Sequence, residues 1–482
     1  MSDWKNTIAK EWDNRRGQEE TTSKIYPLVS NSSSVEEAFA MIEVILSKQL
    51  TMSKNVSDFE AMFAKWLNVP YACMVNSGSS ANLLAMAALV NPERRHRLFK
   101  GDEVLVPCVC WSTSVFPIIQ CGLKPILVDC DPTTMNMSVE DFKSKLTAKT
   151  RGVVLVHVLG NSCPMREVMG LVKKHQLLVL EDTCESLGSK VVLKKTESVE
   201  DTQFLGTFGD FGTFSFYYSH HMTTGEGGAV VCHTEKDYNI LRCLRAHGWT
   251  RHRTDMKELD EKFSDVDARF NFVNIGYNLR PMEVQAAMGI LQLAKLSKSN
   301  EIRRKNFLIL KEALFGNEKY KRQFYLMEAT EGCDPAWFGL AFMLDERYEK
   351  QMPALLSYLE NNGIENRPIV TGNIARQSCL SLFGYDFNPS DYPGAENIHT
   401  RGFFIGSHNV PISEPLAKNL SEIMVSFPFA SQEVVLVTGS SGLVGASVKS
   451  LLASSQFWSE KESVLISTAT CDLRDWSQCS TV

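Results

Sequence analysis

Short apolar runs alternate with amphipathic stretches from Val35 to about Lys295. YACMV (71–75) leads into SSANLLAMAALV, and EVLVP (103–107) into TSVFPIIQ. KPILVDCD (124–131), RGVVLVHV (151–158), LLVLED (177–182), FGTFSFYY (211–218) and GGAVVC (227–232) follow. Unalternated β-rich runs of about four to eight residues predict strands covered on both faces, and their interleaving with helices predicts a largely parallel α/β sheet. EKDYNILRCLRAHG then predicts a helix ending at Gly248.

After this point the pattern changes. PMEVQAAMGILQLAKLSKSNEIRRKNFLILKEAL is one long helical pattern, with a bend or break expected near Ser297–Asn300. It leads into a smaller α+β segment ending near Phe429, whose best strand is FGLAFML (338–344) and best helix MPALLSYLENNG (352–363). NSSS (31–34) and TESVEDTQ (196–203) read as loops. A third unit begins at EVVLVTGSSGLVGASVKSLL (433–452), a strand, a turn with Gly439, Gly442 and Gly445, and a helix, with SVLISTATCDL (463–473) as a second strand. The expected organisation is an N-terminal segment (1–34), a large α/β domain (35–295), a small α+β domain (296–430) and an incomplete dinucleotide-binding fragment (433–482). Glycines between a strand and a helix suit a pyrophosphate, which needs bare backbone at a helix N-terminus. A fragment this short lacks the further strands of a complete cofactor domain.

Over 482 residues, 50 basic against 56 acidic side chains leave a net charge of −6. That argues against a nucleic-acid or membrane-surface binder held by bulk charge. MSDWKNTIAKEWDNRRGQEE has no apolar core of a secretory signal, and no stretch approaches the length of a membrane span. The 13 cysteines are scattered without C-x-x-C pairing, which predicts reduced thiols, no metal site and a cytoplasmic protein.

Three stretches carry candidate chemistry. NSGSSAN (76–82) stands at a strand-to-helix junction, where amides and hydroxyls of Gly78, Ser79 and their neighbours either cradle a phosphate or serve as a plain serine N-cap. LEDTCESLG (180–188) puts Asp182 at the carboxyl end of a buried strand. There it either faces a cation, such as a protonated pyridine nitrogen, or caps a helix. GTFGDFGTFSFYYSHHMTTGEGGAVV (206–231) is a strand, a polar hinge and a glycine-rich turn, with Ser215 placed for the same phosphate.

With WSTS (111–114), VDCDPTTMN (128–136), GYNLRPMEVQAAMG (276–289) and NRPIVTGN (366–373), these stretches resemble the DegT/DnrJ/EryC1/StrS sugar aminotransferase family over roughly residues 25–430. The resemblance implies an α/β protein of the type I pyridoxal phosphate (PLP) fold, aspartate aminotransferase-like. It implies that Trp111 stacks on the cofactor ring, Asp182 pairs with the ring nitrogen and Glu185 lies near the ring oxygen. Gly78, Ser79 and Ser215 would hold the phosphate, with Asn278 reaching it from the other subunit of a homodimer. Arg280 would receive a carboxylate. His247 and Arg251, in RAHGWTR, would face the sugar or its diphosphate, or lie at a helix end without such a role.

One departure changes the chemistry. Where the family has its Schiff-base lysine, SFYYSHHMTTGEGG places His220. An imidazole forms no such link but transfers protons near neutrality. The exchange resembles the family's sugar 3-dehydratases, which hold pyridoxamine phosphate (PMP) and remove the 3-hydroxyl of a nucleotide-linked 4-keto-6-deoxyhexose. Cys232, Cys243, Cys333 and Cys379 lack the grouping of an iron–sulfur site, which favours the metal-free kind that uses L-glutamate. The implied substrate is GDP-4-keto-6-deoxy-D-mannose, in colitose-type dideoxysugar biosynthesis for lipopolysaccharide O-antigen. His220 is the implied acid/base, with His221 the neighbouring alternative. The rival readings are a true aminotransferase, a non-catalytic paralogue and an NAD(P)-dependent reductase. Residues 433–452 in turn resemble the opening of the GDP-L-fucose synthase group, which suggests a truncated second enzyme.

Overall fold

In the computed structural model, which describes residues 3–20, 24–30, 33–195 and 200–430 and the short strands 435–438 and 463–466, the apolar runs form a seven-stranded sheet. Its strands are β1 (Tyr71–Val75), β2 (Glu103–Pro107), β3 (Lys124–Val128), β4 (Thr150–Val156), β5 (Leu178–Asp182), β6 (Phe211–Ser215) and β7 (Gly228–Cys232), in the order β1-β7-β6-β5-β4-β2-β3. Every residue of β2, β6 and β7 is buried, which is why these runs lack polar alternation. β2 to β6 are parallel, whereas β7 runs antiparallel to both β1 and β6. A reversed neighbour needs no crossover helix. Residues 216–227 therefore fold back as a loop beside the carboxyl ends of β5 and β6.

Helices α1 (Lys54–Leu67), α2 (Gly78–Leu89), α3 (Ser112–Gln120), α4 (Glu235–Arg245) and α5 (Glu283–Phe315) pack around this sheet. Phe63 of α1 meets Phe214 and Phe216 edge-on, with ring centroids 5.2 and 5.4 Å apart. α4 ends at Arg245, three residues before Gly248, which takes φ +90° just beyond it.

Two expectations are corrected. α5 runs unbroken through Ser297–Asn300. Its polar residues there are held by tertiary partners: Ser297 Oγ accepts the Trp66 indole N–H at 3.1 Å, and Asn300 Nδ2 donates to Leu187 O at 3.1 Å. The stretch 196–203 is not simply a loop, because Glu200–Phe204 is a strand paired antiparallel with Lys190–Lys195. Its charge is that of a peripheral strand, where charged side chains discourage edge pairing. Cys333–Asp334 completes that small sheet.

The four-stranded antiparallel sheet has the order Phe324–Leu326, Gly339–Leu344, Gly402–Gly406, Asn366–Pro368. Both larger sheets belong to one compact unit, Met1–Asp345 with Met352–Ser426. The second unit comprises Glu346–Gln351 and Phe427–Val482, and in it Val435–Thr438 and Ser463–Ile466 pair in parallel. The glycine turn at Gly439, Gly442 and Gly445 lies outside the described residues. Among the described residues no helix is long and apolar enough to cross a membrane, and no cluster of His, Cys, Asp and Glu could hold a metal ion.

Candidate active site

Parallel strands β5 and β6 end side by side, with Asp182 opposite Thr213. Asp182 is 4% exposed. Its Oδ2 accepts Asn82 Nδ2–H at 2.8 Å and the Ser114 hydroxyl at 2.7 Å, and its Oδ1 accepts the Cys184 amide at 3.2 Å. Asn82 is oriented by the Thr213 hydroxyl, which donates to its Oδ1 at 2.6 Å. All these donors are neutral, and among the described residues no cation pairs with Asp182. A buried carboxylate held this way is poised for a positive group from outside the chain.

α2 begins directly above. Ser77 caps it, with Oγ accepting the Ser80 amide at 3.0 Å, so the serine N-cap reading holds. The cap takes only Ser80; the amides of Gly78 and Ser79 precede the first intrahelical bond and remain for an anion. A Cβ at position 78 would lie 2.5 Å from Ser215 Cβ and 3.1 Å from Cys184 Sγ, so only glycine lets α2 approach β6 this closely. Ser79 Oγ donates to Thr113 Oγ1 at 3.2 Å, which joins α2 to the start of α3. Trp111 occupies the N-cap position of α3 and is 55% exposed, with its indole free to cover a ring.

Glu185 follows on the loop after β5. Its Oε2 accepts the Leu159 amide at 3.0 Å, and Leu159 itself sits in the left-handed region at φ +51°. Strain of this kind persists where the surroundings fix it, often at functional sites. Burial pushes the Glu185 carboxyl up to about 7, with the Leu159 amide opposing and the charge of Asp182 adding.

The loop 216–227 carries both histidines. Tyr217 N–H donates to Ser215 Oγ at 3.3 Å and His220 N–H to Tyr217 O at 3.0 Å, which ties the loop to the end of β6. The His220 ring lies edge-on to Tyr217 and Phe338, and its Nδ1 is buried without a partner. Burial, reinforced by Arg303, pushes its imidazole down to about 3, so it is neutral at physiological pH, and taking up a proton there requires a compensating negative charge nearby. His221 is 2% exposed, and its Nε2–H donates to Ala336 O at 2.7 Å. The two neighbours therefore have different surroundings, and His220 lines a cavity whose walls do not include His221.

Asn278, Arg280, His247 and Arg251 lie elsewhere in the chain. Residues 274–282 pack against the end of α4: His247 N–H donates to Tyr277 O at 2.6 Å and Leu279 N–H to Arg245 O at 2.9 Å. Leu279 O accepts Asn76 N–H at 3.1 Å, which places this loop against the first residue of NSGSSAN. Asn278 is exposed and accepts from Arg280 Nε at 3.0 Å. The His247 ring stands edge-on to Trp249, and the Arg251 guanidinium lies 4.7 Å from the centre of the same indole. No hydrogen bond joins these four to the Asp182 cluster among the described residues.

The site fits the cofactor implied by the family resemblance. Asp182 lacks only a cation, the Gly78–Ser215 cradle leaves room beside free amides, and Trp111 is uncovered. Sequence reasoning missed Asn82, Ser114 and Thr113 as supporting residues. Their signal was their position inside NSGSSAN and WSTS, one helical turn or less from residues already singled out.

Residues 31–418 match the DegT/DnrJ/EryC1/StrS aminotransferase family. The chain is 38% identical to GDP-4-keto-6-deoxy-D-mannose 3-dehydratase from Yersinia pseudotuberculosis over 406 residues, 83% of this chain and 98% of that one. Among solved structures, the Escherichia coli GDP-4-keto-6-deoxy-D-mannose-3-dehydratase with bound hydrated PLP matches with a TM-score of 0.74 and 36% identity, covering 83% of this chain and all of that one. A GDP-4-keto-6-deoxymannose-3-dehydratase with a trapped PLP-glutamate geminal diamine matches with a TM-score of 0.73, 35% identity and the same coverage. By sequence and by fold, the chain belongs to the DegT/DnrJ/EryC1/StrS aminotransferase family and has the type I fold of PLP-dependent enzymes.

Proposed function

We propose that this chain is a PLP/PMP-dependent sugar 3-dehydratase. It removes the 3-hydroxyl of a GDP-linked 4-keto-6-deoxyhexose, GDP-4-keto-6-deoxy-D-mannose being the best candidate, with L-glutamate as amino donor. The observation that carries the reading is His220 in the position of the family's lysine, beside an intact cofactor cradle and an unpaired buried Asp182. The bound cofactor supplies an amine for the sugar's keto group and a ring that accepts electrons.

The chain's own residues do the rest. Asp182, oriented by Asn82 and Ser114, would hold the ring nitrogen protonated and so favour electron withdrawal by the ring. The neutral imidazole of His220 takes a proton and returns it to the departing hydroxyl. Trp111, which is exposed, would cover the ring, and Gly78, Ser79 and Ser215 would hold the phosphate. Glu185, whose carboxyl burial pushes up to about 7, would hold a proton near neutrality for the ring oxygen.

The reading includes a cytoplasmic homodimer in which Asn278 reaches the partner's phosphate, Arg280 meets a carboxylate, and His247 and Arg251 face the nucleotide sugar. Its support is the exposed apolar side chains near Asn278: Ile275 is 92% exposed, Phe272 52% and Met282 49%. Concentrated exposure of this kind marks an interaction surface. Residues 433–482 fit a dinucleotide-binding segment, with the parallel pair Val435–Thr438 and Ser463–Ile466 in support.

The test is incubation with GDP-4-keto-6-deoxy-D-mannose, L-glutamate and PLP, followed by mass spectrometry. A dehydratase yields a keto sugar that has lost the oxygen at C3. An amino sugar that keeps this oxygen would show a transaminase instead and sink the proposal.

A further inference from the structure

A small cavity of about 80 Å³ lies between the His220 loop and the antiparallel sheet. His220, Arg303, Ser407, Phe338 and Phe404 are in its walls. Arg303, on α5, is 5% exposed, and among the described residues no carboxylate pairs with it. Its Nη1 donates to the carbonyls of Trp337, Phe338 and Ser407. Three side-chain atoms in the walls are buried without partners: Arg303 Nε, Ser407 Oγ and His220 Nδ1.

A buried guanidinium facing only carbonyl dipoles keeps an uncompensated charge. Its field helps to push down His220, His221 and His408 around it. Burial lowers Arg303 itself only to about 10, so it stays charged at neutral pH. Planar guanidinium recognises carboxylate geometry, and a serine hydroxyl adds a neutral donor. Phe338 and Phe404 supply apolar wall for methylenes, and the volume suits a carboxylate arm, not a nucleotide.

We propose that this cavity is a carboxylate subsite in which Arg303 and Ser407 receive one carboxylate of a dicarboxylic amino donor beside His220. The assignment rests on the reading of the chain as a cofactor-dependent dehydratase recharged by an amino acid. It gives one donor carboxylate an interior partner and leaves the other to the loop residue Arg280. A carboxylate seated there offsets the field of Arg303 at His220, so the donor itself makes the base stronger while it is bound.

The experiment is calorimetric titration of glutarate, a dicarboxylate with no amine, into the PLP-loaded protein. Cofactor absorbance and melting temperature serve as folding controls. Glutarate should bind the unmodified protein, about ten-fold more weakly after Ser407→Ala and more weakly still after Arg303→Lys. The half-saturating L-glutamate concentration should rise in parallel. If Arg303→Lys does not fold, Ser407→Ala decides alone, since the Ser407 hydroxyl has no partner within the fold. Absent binding to the unmodified protein overturns the subsite, as does equal affinity in Ser407→Ala or a loss seen only in Arg280→Gln. A protein that binds glutarate in this Ser407-dependent way but never dehydrates the sugar would overturn the proposed function and leave the subsite standing.

Discussion

At position 220 a histidine stands in a loop fixed at both ends of its turn, with one ring nitrogen enclosed and unpartnered. His220→Asn should keep cofactor affinity, because the residues proposed to hold ring and phosphate lie on β5, α2 and β6, while dehydration falls about 10²–10⁴-fold. Single-turnover rates on PMP-loaded protein check this. His220→Lys should give a covalent adduct that borohydride fixes and mass spectrometry counts. Normal rates in His220→Asn with a dead His221→Asn would reassign the base to His221. Glu185 gives a pH signature. The folded carboxyl keeps its proton to about 7, whereas the unfolded one releases it near 4.5. Stability of the cofactor-free protein should therefore fall as pH rises from about 5 to 7, and Glu185→Gln should flatten that fall in melting curves. The positions of Asp182 and Gly78, at a strand end and a strand-to-helix junction, were legible in the sequence, whereas the role expected of His220 came only from the family resemblance. Arg303 was not legible, because it lies mid-helix in a polar pattern and its isolation appears only when the antiparallel sheet closes over it.

Among the elements, the buried strands were the easiest to read. YACMV and EVLVP coincide with β1 and β2, since burial on both faces leaves an unmistakable apolar run. Glu200–Phe204 escaped because a charged peripheral strand has the composition of a loop. The continuity of α5 escaped because Ser297, Ser299 and Asn300 mimic a break, and only their partners on other elements show otherwise. The junction of α2 on β6 is tight. Gly78→Ala would drive a methyl to 2.5 Å from Ser215 Cβ, a shift expected to cost about 1–3 kcal/mol and to open the phosphate cradle. PLP absorbance after gel filtration should drop sharply in that variant. Full retention would mean the cradle tolerates the shift.

The whole molecule divides where the sequence changes its composition. The family match ends at residue 418 and every site residue discussed precedes residue 427. Truncation after Ala430 should therefore leave turnover intact, and loss of cofactor binding would show that the tail belongs to the site's architecture. If sites are shared between subunits, mixing His220→Asn with Asn278→Asp protomers should recover about a quarter of normal activity through hybrid dimers. No recovery from demonstrated heterodimers would assign each site to one chain. The replacement of lysine by His220 also reaches beyond catalysis. A lysine-linked relative carries its cofactor as a permanent part, but this chain holds it by contacts alone, and occupancy follows the free concentration outside. Dilution and dialysis strip such an enzyme, while supply restores it. At a hundred times the dissociation constant, a ligand selective for the folded form adds about 2.7 kcal/mol of stability. The vitamin status of the surrounding solution thus becomes a setting for how much of this protein is both working and folded.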